Sequence, residues 1–219
     1  MHARWVTLGP WAIVAAMFIA GLVAWTYAPD SIPVHWSLGG DVNRYGDKLE
    51  GLFLLPAVTL AVLLLMKVLP RIDPRRTSYA GFARSYAFVT LLIVAFFGVV
   101  YAITLAVIFG APLNVSRVVL PLVGVLLIGI GALLQDVQPN WFVGIRTPWT
   151  LSSNRSWTAT HRAGRWVLIA MGAALVLAGV LLTPWAVILA LALCVVGVLG
   201  LVAYSFFVWR DDPNRSAVV

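Results

Sequence analysis

Long apolar stretches alternate with short polar segments along the chain. Six of them are long enough to cross about 30 Å of hydrocarbon. None alternates residue by residue as a barrel strand would, so each predicts a transmembrane helix. Only Thr183-Pro184 separates the last two, which indicates a tight helical hairpin. The expected fold class is all-α, a polytopic transmembrane helix bundle with six spans: 6–28, 51–69, 86–111, 117–135, 166–183 and 185–208.

The composition supports a membrane protein. The 219 residues are 62% apolar and 11% charged, whereas soluble domains carry about 25% charged residues. So few charges cannot cover a water-facing surface, and we expect a multi-pass plasma-membrane protein. The first span is too long for a typical signal-peptide core, and Pro29-Asp30 follows it instead of a small-residue cleavage site. We therefore expect this span to be retained.

The basic residues predict the orientation. Cytoplasmic loops of membrane proteins are enriched in Lys and Arg. An N-terminus on the cytoplasmic side leaves twelve Lys and Arg inside and three outside, which are Arg44, Lys48 and Arg117. Both termini are therefore expected in the cytoplasm. This asymmetry accounts for the net charge of +7, and no direct nucleic-acid partner is predicted.

The expected organisation has two parts. Residues 1–135 would form a four-helix membrane region with an extracellular loop at 29–50. Residues 136–219 would comprise a cytoplasmic loop and helix at 136–165, followed by two further spans. The oligomeric state stays open.

The outer loop is rich in polar side chains between two predicted turns, the first at Gly39-Gly40. Three readings are open: a structural loop, a ligand-binding surface or a metal site. A single histidine with scattered carboxylates matches no standard zinc motif, so no metal is predicted. The candidate ligand-binding residues are Asp30, His35, Trp36, Asp41, Asp47 and Lys48.

The predicted cytoplasmic loop reads PNWFVGIRTPWTLSSNRSWTATHRAGRW over residues 139–166. Its Ser152-Ser153-Asn154 run predicts a helix N-cap, and the helix should continue directly into the fifth span. Membrane anchoring with loop closure and docking of a cytoplasmic partner are equally supported. The candidate partner-binding residues are Asn140, Arg146, Thr147, Trp149, Trp157, His161 and Arg162.

Catalysis has little support. The chain contains no H-E-x-x-H, G-x-S-x-G or P-loop motif. Ser152 and Ser153 lie near His161 in sequence, but no nearby carboxylate would orient that histidine. The single cysteine, Cys194, cannot form a disulfide framework within one chain. We expect a protein that is not an enzyme and has no cofactor.

Two segments resemble a known family. IPVHWSLGGDVNRYGDK, at 32–48, resembles an N-terminal domain of unknown function found in bacterial membrane proteins. GIRTPWTLSS, at 144–153, followed by Trp and by Thr-His, resembles the signature of the SdpI/YfhL family. This resemblance implies immunity to a secreted toxic peptide and sequestration of a cytoplasmic autorepressor protein at the membrane. The implied partners are that peptide, that repressor and membrane lipids. The alternative is a small-molecule or lipid transporter or a membrane enzyme.

Overall fold

A computed structural model describes residues 4–216. Over this part of the chain it confirms the predicted bundle, with six helices long and apolar enough to cross a membrane. A short helix, α5, lies between the fourth and fifth of them. The helices are α1 Arg4–Trp25, α2 Leu55–Ile72, α3 Ala83–Ile108, α4 Val115–Leu134, α5 Pro148–Ser152, α6 Asn154–Leu181 and α7 Pro184–Arg210.

Side-chain caps determine where two of these helices begin. Ser153 Oγ accepts a hydrogen bond from the Ser156 amide at 2.9 Å, so α6 starts at Asn154. The prediction of one helix that continues into the fifth span is confirmed. Thr183 Oγ1 accepts from the Ala186 amide at 3.3 Å and starts α7. The tight connection between α6 and α7 is therefore also as predicted.

The outer segment contains a β-hairpin that the sequence analysis treated as a loop. Strands β1 (Ile32–Trp36) and β2 (Val42–Gly46) pair antiparallel, with an irregularity in the register near His35. The predicted turn at Gly39-Gly40 is confirmed, since Gly40 has a φ of +94°. The Ser37 amide donates to the Asp41 carbonyl across this turn at 2.8 Å.

A π-helical turn (Glu50–Leu54) follows the hairpin and leads into α2, and a 3₁₀ segment (Arg76–Phe82) leads into α3. Buried Val14, Leu63 and Val94 join α1, α2 and α3 in one apolar cluster.

The bundle has two polar faces. We call the end that carries β1 and β2 the hairpin face. The opposite end carries the start of α1, the end of α2 and α5; we call it the basic face, because the twelve Lys and Arg expected in the cytoplasm fall toward it. That the basic face is cytoplasmic stays a prediction from charge.

Helices α4 and α6 pack antiparallel with their backbones in close contact. A methyl group on Gly172 would lie 2.4 Å from the Gly124 carbonyl oxygen, and one on Gly124 would lie 2.4 Å from the Gly172 carbonyl oxygen. Further along, a methyl group on Gly179 would lie 2.2 Å from Pro121. Small residues allow such close approach in membranes, where association depends on packing. The α4–α6 pair therefore has no space for a side chain at these positions.

Substitution of Gly172 tests this contact. We expect Gly172→Ala to destabilise the protein by about 1–3 kcal/mol, because the new methyl group meets backbone that cannot rotate away. The measurement is the midpoint of thermal unfolding in detergent.

Gly200→Ala is the matched control. Gly200 lies within α7 and has open space around it, so alanine there should leave the midpoint unchanged or slightly raised. Equal midpoints for the two variants would contradict close backbone packing of α4 against α6.

Candidate functional site

Two ion pairs brace the hairpin face. Lys48 Nζ lies 3.2 Å from Asp30 Oδ1. Arg44 makes a two-pronged contact with Glu50, at 2.6 and 3.1 Å. Two of the predicted ligand residues, Asp30 and Lys48, therefore neutralise each other. Arg44 and Glu50 were not among the candidates, although both are present in the same segment.

The other hairpin candidates have different environments. His35 Nδ1 lies 2.6 Å from Asn43 Oδ1 on the paired strand. Asp47 Oδ1 accepts from the Glu50 amide at 2.7 Å and so begins the π-helical turn. The Asp41 side chain is exposed at the turn. Among residues 4–216, no three His, Cys, Asp or Glu side chains form a group that could hold a metal ion.

Trp36 lies between two apolar grooves beneath the hairpin. One groove has a volume of about 270 Å³ and extends toward α2. The other has a volume of about 300 Å³ and extends toward α4. Both are lined by Val34, Trp36, Val100 and Thr104, so the hairpin and α3 form their common wall. Val34, Val100 and Thr104 were not among the candidates, because neither an apolar strand residue nor a residue within a span signals a groove in the sequence.

The tip of the hairpin is attached to the start of α4. Asn114 Nδ2 donates to the Gly39 carbonyl at 2.8 Å, and Ser116 Oγ donates to the Ser37 carbonyl at 3.0 Å. Asn114 also caps α4 by accepting from the Arg117 amide. Glycine is required at position 40, since any β-carbon there would overlap the Asn114 side chain. The hairpin that covers the grooves is thus fixed to the start of α4.

His161 is part of the buried structure of the basic face. Its Nε2 accepts from the Ile145 amide at 3.1 Å, so its Nδ1 carries the hydrogen and donates to the Trp157 carbonyl at 2.8 Å. Its ring stacks on Trp157 with centroids 4.2 Å apart. The Trp157 indole donates to the Val137 carbonyl at 2.8 Å. Both aromatic residues therefore close the loop between α4 and α6 onto α6.

Asn140 organises the first half of that loop. Its side-chain oxygen accepts from the Phe142 and Val143 amides, and its side-chain nitrogen donates to the Val143 carbonyl. The neighbouring Trp141 amide donates to Asp73 at 3.0 Å. Asp73 is 2% exposed, and its carboxylate also accepts from the Tyr79 hydroxyl at 3.0 Å. Asp73 was not among the candidate residues, because it comes from a distant part of the chain.

The second half of the loop is fixed by Thr147 and Thr150. Their side chains and backbone amides exchange hydrogen bonds and cap α5. Thr150 Oγ1 also donates to the Ile145 carbonyl at 2.9 Å, and Thr147 Oγ1 lies 3.0 Å from Ser205 Oγ on α7. Trp149 packs edge-on against Phe206. The loop is thus held against both α6 and α7.

The C-terminal tail, residues 211–216, folds back onto the start of α6. Ser153 Oγ donates to Asp212 Oδ2 at 2.5 Å, and the Ser216 amide donates to the Ser152 carbonyl at 3.0 Å. The hydrogen bond from Ser153, followed by that from the Asn214 amide, lowers the pKa of the Asp212 carboxyl. Asp212 therefore stays ionised at lower pH than a free aspartate. Ser153 is engaged with Asp212 and not with His161, unlike a Ser/His hydrolase site.

The seven candidate partner-binding residues divide into two groups. Asn140, Thr147, Trp157 and His161 are buried, and their polar atoms serve the loop itself. Arg146 and Arg162 are exposed, and Trp149 is half-buried. Partner binding by any of them stays a prediction, and only the exposed ones can be reached without opening the loop.

The contact between Gly144 and His161 gives a test of the loop. Gly144 has a φ of +111°, and a methyl group there would lie 2.3 Å from His161 Nε2. We expect Gly144→Ala to lower the midpoint of thermal unfolding, because it adds a clash to a backbone penalty of about 1–2 kcal/mol. Gly110, with a φ of +89° and open space around it, is the control. If Gly110→Ala lowers the midpoint equally, the His161 contact contributes nothing.

Comparisons with known proteins agree with this architecture. The sequence model of the SdpI/YfhL protein family matches residues 136–205. The model of a domain of unknown function, DUF1648, matches residues 12–60. The immunity protein SdpI of Bacillus subtilis (strain 168) is 28% identical over 160 residues, which cover 73% of this chain and 74% of that protein. No solved structure matches the chain.

These findings confirm the resemblance and the multi-pass cell-membrane location. The matching relative is an immunity protein. The chain is therefore similar to membrane proteins of the SdpI/YfhL family over residues 136–205, and it matches DUF1648 over residues 12–60.

Proposed function

We propose that this protein protects its cell against a secreted toxic peptide, which it binds at the hairpin face. The observation that carries the proposal is the pair of apolar grooves on either side of Trp36. The 28% identity to an immunity protein supports the same class of function. The hairpin face is the face predicted to be extracellular, where a secreted peptide would arrive.

The chemistry of the grooves suits an amphipathic peptide. Their walls are largely apolar, and the ion pair between Arg44 and Glu50 borders the groove toward α2. Aromatic side chains at the centre of an interface often carry much of its binding energy. Trp36 has that central position. Asp41, exposed at the turn, offers a negative charge to a cationic residue of the peptide.

Replacement of Trp36 tests the grooves. In a peptide-sensitive host that expresses the protein, we expect Trp36→Ala to lower the peptide concentration that stops growth by about tenfold or more, as for a central interface aromatic. Tyr45→Ala is the matched control, because Tyr45 is in the same hairpin, is 59% exposed and lines neither groove.

Membrane levels of both variants must equal those of the parent protein. Full protection by Trp36→Ala would rule out the grooves as the peptide site. If the parent protein gives no protection, immunity is the wrong function for that peptide. Transport or turnover of a lipid or small molecule without protection would favour the alternative, a transporter or membrane enzyme.

We also propose that the basic face recruits a cytoplasmic repressor protein. Arg146 and Arg162 support this proposal, since both are exposed and can meet an acidic partner surface. Arg146 also donates one hydrogen bond to the Trp141 carbonyl, at 2.8 Å. The buried Asn140, Thr147, Trp157 and His161 would hold the loop in place, while Trp149 lies at its edge.

Co-purification tests recruitment. The assay uses a small repressor encoded beside the gene. We expect the double variant Arg146→Ala/Arg162→Ala to reduce the amount of co-purified repressor by about tenfold, because it removes two charges at the rim of the interface and their hydrogen bonds. Arg84→Ala removes an exposed charge at the start of α3 and serves as the control. Undiminished recovery with the double variant would remove these two arginines from the interface.

A further inference from the structure

A polar cavity on the basic face lies between the start of α6 and the C-terminal tail. Its volume is about 380 Å³, and its walls include Arg75, Ser152, Arg155 and Asp212. It is separate from the grooves at the hairpin face and from the buried His161 contacts. The functions proposed above do not use it.

Two arginines that line this cavity have guanidinium N–H groups that are not used in their hydrogen bonds to backbone carbonyls. Arg75 donates to the Leu151 carbonyl at 3.3 Å, and Arg155 donates to the Asp211 carbonyl at 3.0 Å. Neither guanidinium is in an ion pair within residues 4–216. A guanidinium has five N–H donors, and its planar fork matches the oxygens of a phosphate. The cavity wall therefore offers an anion two charges that carbonyl oxygens do not neutralise.

The cavity already holds one anionic group, from the chain itself. Asp212 is 5% exposed, and its carboxylate accepts from Ser153 Oγ at 2.5 Å. It lies at the first turn of α6, a helix of 28 residues, where the helix dipole favours negative charge. The position is therefore shaped and charged for an oxyanion. The Asp212 carboxylate belongs to a short tail, which also contacts the start of α6 through the Ser216 amide bonded to the Ser152 carbonyl and the Asp211 carbonyl bonded to Arg155.

We propose that this cavity binds a phosphate group and that Asp212 is its internal competitor. The phosphate would contact Arg75 and Arg155 and take the Ser153 hydroxyl from Asp212. Repulsion between the phosphate and the carboxylate then displaces the tail from α6. The phosphate belongs either to a lipid headgroup of the adjacent leaflet or to a soluble molecule.

Thermal stabilisation of the full chain in nanodiscs measures binding, since a ligand of the folded state raises the unfolding midpoint with its concentration. Inorganic phosphate is titrated in discs of phosphatidylcholine, against potassium chloride at equal ionic strength. A second set of discs contains phosphatidylglycerol without added phosphate. Stabilisation in the first set identifies a soluble phosphate, and stabilisation only in the second set identifies a lipid headgroup. Stabilisation in neither overturns the proposal.

Paired variants separate the cavity from general surface charge. We expect Arg155→Gln to raise the half-saturating phosphate concentration, or the half-saturating phosphatidylglycerol content, about tenfold. The reason is that the variant loses a charge-assisted hydrogen bond to the phosphate. Arg162→Gln removes the same charge from the same helix, but Arg162 does not line the cavity. This variant should leave the half-saturating concentration unchanged. Equal losses in both variants would overturn the site.

A second pair tests the competitor. Asp212→Asn should lower the half-saturating concentration about fivefold, because it removes the competing carboxylate. This value is at the low end of the typical coupling between two ligands. Asp211→Asn makes the same charge change in an exposed neighbour that pairs with Arg210, and it should have less than half that effect. In the parent protein, phosphate should also speed hydrogen exchange of the tail amides. Equal effects of the two variants, or an unchanged tail exchange rate, would refute displacement of Asp212.

Discussion

The basic face depends on one constraint: the backbone of the connection between α4 and α6 needs hydrogen-bond partners from within the protein. Irregular backbone beside a membrane has limited access to water, and unpaired polar groups there are costly. Asn140, Thr150 and His161 each supply such partners, and all three are buried. The Ser, Thr, Trp and His content of this segment is thus largely explained by the need to close a loop.

The six helices could be predicted because the length and apolarity of a span are local properties of the sequence. The start of α6 followed from a local cap at Ser153. The β-hairpin could not be predicted in the same way. Its strands are five residues long, and their pairing depends on contacts with the rest of the bundle, such as those made by Asn114 and Ser116.

The candidate sites show where residue type stops being informative. Polar residues in a loop attract attention as ligands, yet His161 and Asn140 are fully engaged with backbone. Conversely, Asp73 is separated from Trp141 by 68 positions, and nothing in its own neighbourhood signals their contact. The grooves beside Trp36 use valines of spans, which in sequence are indistinguishable from residues that face lipid. Burial and long-range contacts determine which of these residues can bind a ligand, and the spacing of residues in the sequence encodes neither.

The attachment of the hairpin to the start of α4 has a mechanical consequence. Asn114 and Ser116 hold the tip of the hairpin, and Gly124 holds α4 directly against the backbone of α6. No side chain lies between the two helices at this contact, so a displacement of α4, which is about 30 Å long, presses directly on the backbone of α6. A force on the hairpin that covers the grooves would therefore be transmitted to the start of α6, where the loop and the tail are attached.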